Sequence, residues 1–187
     1  MSDSAIADVS ETLLRVLRER LSGLVAQDHV TLASPADIEL DTSPWLGLFL
    51  YQVAENLHLK NEEMRRTDPA RLEFPPTVVD LNYLAVPYAQ TRDDEQKIVG
   101  RVIQAFASQP VLRGAVLQRS LAGSSEELKV VPYAPSMDEL ARLWTTFNNK
   151  PYKLSLGYQV TPVKIASARE PFEVQPVLER NVRFSRI

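Results

Sequence analysis

His29 and His58 are the only histidines of the chain, and it contains no cysteine. A zinc hydrolase sets two histidines one helical turn apart with a carboxylate in reach, whereas these two lie far apart in sequence. His58 together with Glu62 and Glu63 has the residue types of a metal site, but the surrounding stretch is polar and unpatterned, the composition of a solvated loop. Without a thiol there is no disulfide, no thiolate nucleophile and no cysteine-held zinc. The glycines, at positions 23, 47, 100, 114, 123 and 157, make neither a Walker-type phosphate loop nor a dinucleotide fingerprint. The segment AGSSEE sets serines beside a glycine but lacks the strand–Gly-x-Ser-x-Gly elbow of a hydrolase, and reads as a polar turn. Of the carboxylate runs, Asp93-Asp94-Glu95 suits the positive end of a helix, while Glu62-Glu63 and Glu126-Glu127 read as wet surface. Trp45 and Trp144 have rings that can stack on a ligand, yet both fall at positions expected in the core. No catalytic residue, metal ligand or cofactor site is expected.

What must such a chain be instead? It has 187 residues, 44% hydrophobic and 24% charged, enough for one good core and ordinary for a globular domain. A net charge of -3 argues against general binding of nucleic acid, which needs a basic surface to displace counterions. MSDSAIADVSETLL lacks the basic and apolar regions of a signal peptide, and no run approaches the roughly 20 apolar residues of a membrane helix. A soluble protein made in the cytoplasm is expected.

Ile6, Val9, Leu13, Leu17, Leu21 and Leu24 recur at helical spacing, predicting an amphipathic helix over 5–26 behind the cap candidates Ser2, Asp3 and Ser4. HVTLAS is a short strand. WLGLFLYQV (45–53) is apolar on both alternating faces and predicts a central strand. VVDLNYLAVPY (78–88) reads the same way, with Pro87 marking where pairing stops or reaches an edge. Between them, about 55–76, lies a long polar loop, a length usually tied to function or to disorder. A second helix is expected from Arg92 to about Ser108, with Ile98, Val99, Val102, Ile103 and Phe106 inward. Residues 110–127 are weakly patterned. ELKVVPY is a strand ended by Pro132. Ser136 and Glu139 form a capping box ahead of a helix burying Leu140, Leu143, Trp144 and Phe147 and ending at Asn148 and Asn149. KLSLGYQVTPV then alternates, with Leu154, Leu156, Tyr158 and Val160 on the core side. The order implies one α+β (mixed α/β) domain over 1–187, a mixed sheet flanked by about three helices.

Two basic strips remain in this mildly acidic chain. His58, Lys60, Arg65, Arg66 and Arg71 lie in the polar loop, and Arg180, Arg183 and Phe184 in the extended C-terminal tail of about 171–187. Such strips either solvate or pair with an acidic protein partner, since guanidinium forks hold carboxylates at two points. The tail, VQPVLERNVRFSRI, alternates like a strand. It is either an arm offered to a neighbour, with Phe184 as anchor, or a strand completing its own sheet.

Four segments taken in order carry a resemblance: LGLFLYQVAENLHLKN, PPTVVDLNYLAVPYAQTRDDEQKIVGRVIQAF, ELARLW, and PYKLSLGYQVTPVKI. Together they make the whole chain resemble the tail-terminator (cap) proteins of extracellular contractile injection systems, which are phage-tail-like particles. That resemblance implies a homohexameric ring seated on the last layer of the inner tube protein and the contractile sheath protein. The ring would end polymerisation and anchor the sheath without catalysis, cofactor, nucleic acid or membrane. It further implies assembly in the cytoplasm, within a particle of the kind that can be released from the cell. Some relatives carry a further C-terminal region. A phage tail-completion protein joining tail to head shares the ring logic, and a small hydrolase or ligand-binding enzyme with its site near His58 is the alternative from another class.

Overall fold

The apolar stripe of the first predicted helix becomes α1 (Ala5–Arg20), which buries Val9, Leu13, Val16 and Leu17. In this computed structural model, which describes residues 3–38, 43–60, 63–68, 71–148 and 150–173, the helix stops six residues short of the expected 26. Leu24 turns back onto the Leu21 carbonyl at 2.9 Å, and Gly23 takes φ +84°, a conformation that L side chains rarely adopt. Leu21 and Val25 remain buried beyond the helix, so the stripe continues although the helix does not. The expected serine cap is also replaced. Ser4 Oγ donates to the Asp8 carboxylate at 2.8 Å instead of accepting from the backbone.

Six strands form one mixed sheet in the order β1-β2-β5-β8-β7-β6. They are β1 (Val30–Leu32), β2 (Trp45–Glu55), β5 (Thr77–Tyr88), β6 (Val111–Arg113), β7 (Glu127–Tyr133) and β8 (Leu156–Ile165). Only the β1–β2 pair is parallel. β5 is buried along nearly its whole length, as its two-sided apolar pattern predicts. β2 is not central, contrary to expectation. It lies next to the three-residue edge strand β1, and Gln52 and Val53 are exposed.

Alternation along β5 divides the core. Leu81, Tyr83 and Ala85 face α1 and α2 (Arg92–Ser108), while Leu84, Val86 and Tyr88 face α3 (Met137–Thr145). Ser10 of α1 and Tyr83 share a buried hydroxyl–hydroxyl bond of 2.7 Å across the first layer. The inner face of α2 differs from expectation at three residues: Ile103 is exposed, and Glu95 and Ala105 are buried. α3 carries the expected capping box, and Leu140, Trp144 and Phe147 are buried. The helix ends at Thr145, before Asn148; Asn149 lies outside the described residues.

Two of the strand prolines, Pro87 and Pro132, find positions that need no N–H. Pro87 pairs with Leu46, beyond the last β5–β8 pair at Ala85 and Leu156. β7 runs through Pro132 to Tyr133 rather than ending at it, because β6 reaches only Lys129 and leaves that edge open. β8 begins at Leu156, with Leu154 exposed ahead of it. Its alternation slips by one residue between the Val79–Val163 and Leu81–Val160 pairs, a bulge that turns both valines inward.

Candidate assembly surface

The stretch expected as a loop over 55–76 is partly sheet. β3 (Arg65–Asp68) and β4 (Arg71–Glu73) form a hairpin, and β9 (Phe172–Glu173) adds to β4. This three-stranded wing departs from the main sheet at Asn56, a buried amide that organises the exit. Its Oδ1 accepts from the backbone N–H groups of His58 and Leu59, both at 3.1 Å. Its Nδ2 donates to Asp80 at 2.9 Å and to Thr161 at 3.3 Å, and Thr161 in turn donates to Asp80. Side chains of β5 and β8, together with Asn56 just past the end of β2, therefore fix where the wing begins. His58 takes its place from its backbone N–H rather than its ring.

The structure brings together two regions that are separate in sequence. Arg71 stands opposite Glu173 and Leu72 opposite Phe172, so the root of the tail is a strand of the wing. The Phe74 and Phe172 rings meet with centroids 5.0 Å apart, and the Arg169 guanidinium lies 5.0 Å over Phe74. Beneath them a cavity of about 450 Å³ is lined by Phe74, Pro76 and Pro171, with the Lys164–Glu126 ion pair (3.3 Å) at its wall. Of the sequence-predicted residues, Lys60 pairs with Glu55 at 2.9 Å, and Arg66 and Arg71 are exposed on the hairpin. Arg65 opens β3 opposite Glu73. Arg180, Arg183 and Phe184 lie outside the described residues.

Sequence reasoning missed the apolar part of this surface. Leu57 is 75% exposed and Phe172 51%, and Val53, Leu59 and Met64 are exposed with them. The signal was present as single apolar residues in polar surroundings, too sparse to register as a period. Chemically the wing offers guanidinium and ammonium groups, apolar side chains and a strand edge at β3, the parts of a protein-binding surface. Among the described residues no group of three or more His, Asp or Glu is placed to hold a metal ion, and no helix is long and apolar enough to cross a membrane.

The carboxylates that the fold perturbs lie away from the wing and act as ties. Burial works to raise Glu95, but bonds from Lys153 and from Arg92 (2.9 Å) outweigh it and hold the carboxyl below its ordinary range. Asp8 is held low in the same way, against burial, by Ser120, Ser4 and the Arg119 charge. These bonds join α2 to the chain before β8, and α1 to the turn around Ser120. Trp45 stacks on His29 at 3.9 Å, and Trp144 is buried under α3.

The family described as the Pvc16 N-terminal domain matches residues 8–179. Among solved structures, the PVC sheath/tube terminator of an extracellular contractile injection system, in its extended state, is similar with a TM-score of 0.68 at 25% identity, over 97% of this chain and 64% of that one. The tube-terminating cap of the anti-feeding prophage shares the fold, with a TM-score of 0.62 at 22% identity over 95% of this chain and 61% of that one. The chain thus spans less than two thirds of the length of either. No curated protein matches it.

Proposed function

The chain belongs to the Pvc16 N-terminal domain family, and from that premise we propose that it is a structural terminator of a contractile, phage-tail-like injection particle. As a homohexameric ring it seats on the last layer of inner tube and sheath, ends their growth and anchors the sheath. The observation that carries this reading is the likeness, along almost the whole chain, to a protein named as a sheath/tube terminator. A terminator must match a ring of different subunits on one side and offer no equivalent surface on the other. The wing supports that asymmetry, since it concentrates exposed apolar and basic side chains at one end of the sheet. The molecule works by fit, without catalysis. Assembly takes place in the cytoplasm.

Co-expression with tube and sheath proteins tests the reading by electron microscopy. Tubes should carry a cap-sized ring at one end and lose their open-ended length distribution. Unchanged tubes without a ring would overturn it. Within this function the wing is the docking element, so replacing Arg65, Arg66 and Arg71 together by glutamate should abolish capping. The thermal midpoint should move little, because exposed charges such as Arg66 and Arg71 contribute about 0–1 kcal/mol each. Capping by the triple variant at the normal rate would remove the wing from the interface.

A further inference from the structure

A second uncovered apolar surface lies along the β7 edge, away from the wing. There a groove of about 480 Å³ runs between α2 and β7, lined by Ile103, Phe106, Pro110, Pro132, Tyr133 and Tyr158. Ile103 is 47% exposed although its neighbours Val102 and Phe106 are core. This groove is closed to strand addition. The Val130 N–H is taken by the Pro110 carbonyl at 2.8 Å, and Pro132, the next residue facing that edge, has no N–H to give. It is shaped to take side chains. A carboxylate reaches its rim, since the Tyr133 hydroxyl donates to Glu139 at 3.1 Å, and Asp138, next to Glu139 in α3, is exposed.

One segment of the chain has matching chemistry. Residues 174–187 place Leu178, Val182 and Phe184 among Arg180, Arg183 and Arg186 with Glu179 as the only acid, a charge of +2 that leaves -5 on the remainder of a -3 chain. This segment starts from the wing, at Glu173, and its 14 residues reach at most about 50 Å when extended.

We propose that the groove between α2 and β7 receives the C-terminal segment of a second copy of this chain, with Phe184 against Ile103 and Tyr133 and the arginines on Glu139 and Asp138. The inference rests on the ring reading above. A closed ring of identical subunits needs donor and acceptor surfaces at different places on each protomer. The tail leaves from the wing end of the sheet and the groove opens toward the other end, roughly 30 Å away along β8 at about 3.3 Å per residue.

The absence of cysteine permits a clean test on the full chain. Ile103→Cys and Phe184→Cys proteins, prepared separately and mixed under mild oxidation, should give a disulfide-linked heterodimer. The yield should exceed at least tenfold that of Phe184→Cys mixed with an Arg101→Cys control on the exposed side of α2. Ile103→Glu should weaken self-association at least tenfold by light scattering with its circular dichroism unchanged. Ring-sized particles without the specific crosslink would overturn the docking and leave the terminator reading standing. Crosslinking only within a single chain carrying both cysteines would overturn the second-copy assignment. The specific crosslink in a protein that fails to cap tubes would support the docking and sink the terminator reading.

Discussion

The six-stranded sheet and the three-stranded wing are built from the same chain by opposite means. The sheet has strands of up to 12 residues and a hydrophobic cluster on each face. The wing has strands of four, three and two residues, with Phe172 half exposed. A sheet that small is marginal alone, and here it is held by cross-strand pairs, by the Phe74–Phe172 contact and by the Asn56 hub at its base. The difference separates two jobs. The sheet gives the domain its stability, and in the proposed terminator the wing presents side chains to its partners.

The sharpest way to break that contrast is to empty each region in turn. Leu17→Ala, in the core beneath α1, should cost about 2–5 kcal/mol in urea unfolding, against under about 1 kcal/mol for Phe172→Ala in the wing. Equal losses would mean that the wing is structural after all. Gly157 offers a parallel probe, since an added Cβ would strike the Tyr133 carbonyl oxygen and Pro135.

Ion pairs should divide in the same way. Glu95→Ala leaves Lys153, 15% exposed, without its carboxylate and should cost about 3 kcal/mol. Lys164→Ala, at the wing root, should cost at most about 1 kcal/mol. Because the folded carboxyl of Glu95 sits below its ordinary value of 4.5, its contribution is complete above that value and is lost as pH falls through the lower folded one. Asp8, also lowered from 3.8, adds to the same acid-side loss. Melting from pH 7 down to 3 should therefore show a decline beginning below about 4.5, and Glu95→Gln should flatten it.

Two truncations sharpen the boundary. Ending the chain after Glu173 keeps β9, so circular dichroism and the main melting transition should hold while ring formation is lost. Ending it after Ala166 removes β9 as well. Amide exchange at Leu72 should then quicken by about tenfold or more as the wing opens locally, with the β5 amides unaffected. Unfolding of the first truncation would show that the tail belongs to the domain's own core. The smallest effect is expected at one of the two histidines. His29→Ala loses its stack on Trp45, about 0.5–1.5 kcal/mol, whereas His58→Ala leaves its backbone bonds to Asn56 in place and should stay within about 0.5 kcal/mol.

Local sequence by itself determined the elements whose information is local: α2 with its acidic first turn, the boxed start of α3, the doubly apolar β5 and the continued stripe of α1. A capping box or a 3.6-residue period is complete within a dozen residues, so no distant contact is needed to read it. The four ordered motifs likewise carried the family resemblance. Tertiary structure alone decided where α1 stops, that β2 lies near an edge, that Ile103 faces out, and that Glu95 is buried on Lys153, 58 residues away. It also decided that the loop and the tail root are one wing. β9 has two residues and β4 three, too few to show any period. β9 exists as a strand only because β4 supplies its hydrogen-bond partner about 100 residues back along the chain, a pairing no local pattern encodes.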